Sequence, residues 1–227
     1  EYPKERERGY ESTEDLLTPG YFEMPIKKGE SIIFSAGIAP IKPKEISVLL
    51  EKERESLDHR DSFYHCLVNA AHQFRVTKDG ENYLLAGYPW FKPRARDTFI
   101  SMPGLTLAIG EKERFEMYMA TASKAIYNLI RKEPLEVDIY EMEQPDTLLW
   151  AIWCIQQYAK YTSRTACYEK YGVLLRDIIE YVRSGKHPNL FIHENGLVYA
   201  NGRDHAITWM NSQCGGRPIV PRSGYIV

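Results

Sequence analysis

The sequence predicts a mainly α fold with its helices in a double ring, and three observations carry that expectation. Phe63, Cys66, Leu67, Ala70, Ala71 and Phe74 recur at i, i+3, i+4, i+7, i+8 and i+11, a full core-facing helical stripe. Residues about 111–132 and about 163–183 repeat that amphipathic form. Phe115, Met119, Ala122, Ile126, Leu129 and Ile130 make one face, and Tyr171, Leu174, Leu175, Ile178 and Val182 make the other. Between them, residues about 144–161 are apolar nearly all round through Leu148, Leu149, Trp150, Ala151, Ile152, Trp153, Cys154 and Ile155, so that helix should be buried on several sides. Amphipathic helices outside and an apolar one inside suit two rings of helices better than an open two-layer sheet.

Taken in order, residues 1–40 read as a mostly non-helical lead-in. Pro19-Gly20 marks a turn and Glu30 to Ser35 a short β run. Pro40 and Pro43 bracket a linker, giving a boundary between 1–40 and 41–227. Ile46, Leu49 and Leu50 start a helix with a charged outer face that ends near Leu57; Asp61 is placed to cap the next. A strand is expected over Tyr83, Leu84, Leu85 and Ala86. A helix follows whose start lies near Met102-Pro103-Gly104, where proline is tolerated, and whose end lies at Gly110. Gly185 and Pro188 stop the last helix, and Asn195-Gly196 signals a hairpin between Leu190-Phe191-Ile192 and Leu197-Val198-Tyr199.

The 227 residues carry a net charge of −2, which supplies no drive towards nucleic acid or anionic lipid. The longest apolar run, Leu148 to Ile155, is too short to span a bilayer. No signal peptide opens the chain, and the missing initiator Met suggests a start inside a longer or processed protein. Cys66, Cys154, Cys167 and Cys214 are scattered, which favours free thiols in a reducing compartment and hence a cytoplasmic location. His65 and His72 share a helix face, but no third ligand is evident, and no metal is expected. Lys124, Arg131 and Lys132 read as a solvated helix face.

Chemistry concentrates in Ala86 to Ile100, where four aromatics, two arginines and Asp97 stand between an apolar strand and an apolar helix. A guanidinium beside a carboxylate can hold adjacent hydroxyls, and an aromatic can cover the apolar face of a sugar ring. The other reading is an aromatic-rich structural turn with an internal Arg–Asp pair.

Several segments in order resemble the glycogen debranching enzyme family, in its amylo-α-1,6-glucosidase part. They are Glu1-Tyr2-Pro3, Arg8-Gly9, Glu14-Asp15-Leu16, Pro19-Gly20-Tyr21-Phe22, Ala71-His72-Gln73-Phe74, Ala86 to Phe91, Arg96 to Ser101 with Pro103-Gly104, Pro145-Asp146 with Trp150, Gly196 to Tyr199, Thr208-Trp209-Met210, and Pro221 to Gly224. The resemblance implies an (α/α)6 barrel of the six-hairpin glycosidase type after a β-sandwich, with 1–40 as the end of that sandwich and 41–227 as the first part of the barrel. It implies cofactor-free, inverting removal of α-1,6-linked glucose from branched α-glucan, using a carboxylic acid and a carboxylate base ~6.5–9.5 Å apart.

By the same resemblance Arg96 and Asp97 hold the hydroxyls of the terminal glucose, and Tyr88, Trp90 and Trp209 are aromatic walls. Asp146 binds substrate or orients a neighbour, unless it is only a first-turn charge favoured by the helix dipole. Trp150 and Trp153 read as core. Two departures stand out. Asn211 occupies the position after Thr-Trp-Met where the family's acid, an Asp, is expected, and an amide cannot donate a proton to a leaving alkoxide. Asp204 is the nearest substitute in sequence. Arg94-Ala95 stands where Trp-Gly is expected. The base is expected beyond Val227, so 1–227 alone should be inactive. The alternatives are a catalytically silent α-glucan-binding protein of this fold, or another α/α-barrel glucosidase of the glucoamylase or trehalase kind. Oligomeric state is left open.

Overall fold

The computed structural model describes residues 1–57, 59–88, 90–200, 206–220 and 224–226, the last three by their backbone only. It divides into two compact units, Glu1–Ser56 and Leu57–Val227.

In the first unit a short helix α1 (Pro3–Glu7) opens on a proline in its first turn, and α2 (Pro43–Ser56) does the same. Neither helix buries a residue. The expected β run Glu30–Ser35 forms no strand. A lone strand leaves its amide and carbonyl groups unpaired, and no partner strand exists in this unit among the described residues.

The second unit is mainly helical. Helix α3 (Phe63–Gln73) is capped by Ser62, whose side chain accepts from the His65 amide at 3.1 Å. Asp61, expected as the cap, instead meets His65 Nδ1 at 2.5 Å. The hairpin β1 (Arg75–Lys78)–β2 (Glu81–Leu84) turns through Asp79 and Gly80, both at positive φ. Helix α4 (Ala95–Leu105) begins seven residues before the expected start near Met102. Pro103 therefore lies in its last turn, and the helix ends two residues later. Its final carbonyls find other donors: Thr106 Oγ1 bonds Met102 O at 2.6 Å, and Arg75 Nη2 bonds Leu105 O at 2.9 Å.

After a 3₁₀ turn at Leu107–Ile109 come three long helices, α5 (Lys112–Arg131), α6 (Thr147–Tyr161) and α7 (Arg164–Arg183). Ser163 caps α7 through a 3.0 Å bond from the Ala166 amide. Helix α4 packs on α6, α6 on α7, and α5 on β2. Phe99, Phe115, Met119, Ile126, Leu148, Ile155 and Ile178 are fully buried at these contacts. The α5 and α7 stripes face the core as expected, with Leu129, Ile130 and Leu175 at its margin. Helix α6 buries Leu148, Ala151, Cys154, Ile155 and Tyr158, while Trp153 is exposed, so it is covered on one side more than the other.

The stripe on α3 is a correction. Phe63 and Leu67 are 80% and 53% exposed, and Cys66 is exposed too; the helix buries Val68, Asn69 and Ala71. Apolar periodicity identifies a face, and the neighbours that touch it decide whether water leaves.

Two small antiparallel sheets complete the unit. β3 (Leu190–Ile192), β4 (Val198–Ala200) and β7 (Gly224–Ile226) form one, with Leu190 opposite Ala200. Their first turn is longer than an Asn-Gly pair: His193 N bonds Leu197 O at 2.8 Å, and Gly196 takes the left-handed position at φ 85. β5 (Gln213–Cys214) and β6 (Arg217–Pro218) form the other.

Candidate functional site

The aromatic loop before α4 is closed on itself. The Phe91 amide bonds Gly87 O at 3.0 Å, and a Cβ on Gly87 would meet the Phe91 ring at 3.1 Å. The loop is then clipped to the segment before α6. Tyr140 N bonds Pro93 O at 3.0 Å, and Ala95 N bonds Tyr140 O at 2.9 Å. This clip starts α4 at Ala95, so Arg96 and Asp97 stand in a first helical turn, not on an irregular loop.

Arg96 does not pair with Asp97. Its Nε donates to Asp146 Oδ2 at 2.7 Å and its Nη2 to Oδ1 at 2.8 Å, a two-pronged bridge from α4 to α6. The two side chains are 8% and 17% exposed. The internal Arg–Asp reading of the loop is thereby overturned. Asp146 is the residue before α6, yet its carboxylate makes no capping bond, because Arg96 and the Trp150 indole N–H, at 3.3 Å, take it. Trp150 stands edge-on to Trp153, with ring centroids 5.5 Å apart. Asp97, one residue on, turns outward into water, and its carbonyl accepts from Ser101 Oγ at 2.6 Å.

The expected aromatic walls are open. Trp90 is 83% exposed and Trp209 66%. Tyr88 is exposed with its ring 6.2 Å from Phe74. Arg94, in the place expected for a tryptophan, lies over the Phe91 ring at 5.0 Å and 3.7 Å from Glu141.

A separate cavity of about 360 Å³ holds Asn211. Its lining is rich in polar side chains: Glu141, Glu143, Gln144, Asn189 and Gln213 stand around it with Asn211. The segment carrying the two glutamates is bent at Glu141, which takes φ 62, a left-handed value that costs a side-chain-bearing residue energy. Asn189 Nδ2 holds the Glu143 carbonyl at 3.1 Å. Asn189 is itself placed by its amide's 3.1 Å bond to Nδ1 of buried His187. Burial pushes the His187 imidazole down to about 4, so it is neutral near pH 7.

Glu141, Glu143, Gln144, Asn189 and Gln213 were not singled out by the sequence. The only signal was the polar run Glu141-Met142-Glu143-Gln144 directly before Pro145-Asp146. Asp204 and the segment Pro221-Arg222-Ser223 lie outside the described residues. Among the described residues, no group of three or more His, Cys, Asp or Glu is placed to hold a metal ion. Nor is any helix there long and apolar enough to cross a membrane.

Residues 64–227 match the family model described as amylo-alpha-1,6-glucosidase. The chain belongs to that family. Residues 1–33 match a second model, the glycogen debranching enzyme N terminal. No curated protein and no solved structure matches the chain. Membership places it among the glycosidases that work on glucans, in glycogen metabolism, and gives the polar cavity and the bridged arginine a carbohydrate context.

Proposed function

We propose that the protein carrying this chain is an inverting α-glucosidase that removes single α-1,6-linked glucose units from trimmed branch points of α-glucan. The observation that carries this reading is the cavity around Asn211, the position after Thr208-Trp209-Met210 where the acid is expected. Its volume falls in the range of ligand pockets, about 300–1,000 Å³, and its polar side chains suit hydroxyl groups.

In this reading residues 41–227 are the first part of an (α/α)6 barrel and residues 1–40 the end of a preceding β-sandwich domain. Arg96 is locked by Asp146 through Nε and Nη2, which leaves Nη1 for a glucose hydroxyl. Asp97 accepts from a neighbouring hydroxyl, and Tyr88, Trp90 and Trp209 cover the sugar faces. The base is a carboxylate beyond Val227. A second reading draws on Asn211 itself: a glucan-binding protein that has lost its acid.

The test is glucose release from a phosphorylase limit dextrin. The full-length protein that carries residues 1–227 releases glucose, whereas residues 1–227 alone release none. A full-length protein that binds the dextrin and releases nothing selects the silent binder. Release by 1–227 alone contradicts the placement of the base.

A further inference from the structure

We propose that Glu143 supplies the proton that Asn211 cannot. This inference rests on the glycosidase reading above and names the acid within the same cavity. Both Glu141 and Glu143 line that cavity with Asn211, and their surroundings separate them. The Arg94 guanidinium lies 3.7 Å from the Glu141 carboxylate, so that carboxylate is already engaged in an ion pair. Glu143 takes part in no ion pair among the described residues.

Its main chain is nevertheless fixed: Asn189 Nδ2 bonds its carbonyl at 3.1 Å. The segment is tied on either side of the bend, by Tyr140 to Pro93 and by the Gln144 amide to Glu141 O at 3.3 Å. Glu143 is an exposed residue and lines the cavity.

In the step itself the Glu143 carboxylic acid gives its proton to the glycosidic oxygen as the C1–O bond breaks and its electron pair goes to that oxygen. A water molecule bonds to C1 from the opposite face and passes its proton to the carboxylate base. Glu143 ends ionised and recovers its proton from solvent. Asn211, unable to donate, is left to hold a substrate hydroxyl through its amide.

The experiment compares two substrates in the full-length protein: a branched oligosaccharide with a terminal α-1,6-glucose, whose leaving group needs a proton, and α-glucosyl fluoride, whose leaving group does not. Glu143→Gln lowers kcat/KM on the branched substrate by roughly 10²–10⁴-fold and leaves fluoride hydrolysis within about tenfold. Retained fluoride hydrolysis also reports that the variant is folded. Equal loss on both substrates, or loss on neither, overturns the assignment to Glu143. If the unsubstituted protein hydrolyses neither substrate, the glycosidase reading fails and the assignment falls with it. Glu141→Gln is the companion variant, and a leaving-group-dependent loss there instead of at Glu143 also overturns the proposal.

Discussion

Arg96, in the first turn of α4, and Asp146, the residue before α6, hold each other largely out of water, with Trp150 closing the third side of the carboxylate. Asn211, Glu141 and Glu143 surround an open cavity on connecting segments held by scattered backbone bonds. The first region is rigid because its polar groups are spent on one another. The second keeps the Glu143 carboxyl group out of any ion pair among the described residues, although Glu141 is paired with Arg94. A gripping element tolerates pairing better than a reacting one, since a paired carboxylate is already engaged by its partner.

The sharpest break of this contrast is in stability. Asp146→Ala leaves the Arg96 guanidinium buried without its partner and should cost about 3–5 kcal/mol. Glu143→Ala, at an exposed and unpaired carboxyl, should stay within about 0.5 kcal/mol. Urea unfolding of the chain measures both, and similar losses would erase the difference between the regions.

Acid should loosen the cavity side first. His187 is fully buried, and its folded value of about 4 lies below the ordinary 6.5, so the unfolded chain binds the extra proton between those values. Its contribution is complete above about pH 6.5 and is lost as pH falls towards 4, on the order of 2–3 kcal/mol. Protonation also removes the Nδ1 lone pair that accepts from the Asn189 amide. A urea midpoint that falls between pH 7 and pH 5, with a smaller fall in His187→Asn, is the expected result. Equal slopes in the two proteins would remove His187 from the account.

Smaller effects concern the open surface. Trp90→Ala should weaken glucan binding by about 0.5–1.5 kcal/mol through lost ring contact and leave the unfolding midpoint in place, because the indole is already in water. Binding to a maltooligosaccharide by calorimetry, beside the melt, separates the two. Asn211→Asp should change glucose release by less than about tenfold if Glu143 is the acid; a gain of several hundredfold would identify Asn211 as the site of a lost acid.

Sequence periodicity placed α5, α6 and α7 well because each carries an apolar pattern sustained over about four turns or more, and each found a neighbour within the chain. It misplaced the stripe of α3, where Phe63 and Leu67 stay exposed. It also started α4 too late, because Pro103 reads as an opening residue and the clip from Tyr140 to Pro93 and Ala95 cannot be read along the chain.

Arg96, Asp97 and Asp146 were singled out as candidates through motif resemblance. That Arg96 pairs with a residue fifty positions on, not with its neighbour, was not. Adjacent helical residues point about 100° apart, so the Arg-Asp order in sequence is a poor guide to pairing. Glu143 was hidden for a different reason: a carboxyl group acquires its role from the cavity it lines, and no spacing announces a cavity.

The anomeric form of the first glucose released tests the central claim most directly. Proton NMR during the first turnovers of the full-length protein on a branched α-glucan should show β-glucose appearing before mutarotation, the outcome of a single displacement by water at an α-linked C1. α-Glucose as the first product would contradict the inverting mechanism and require a covalent intermediate on a carboxylate close to the sugar.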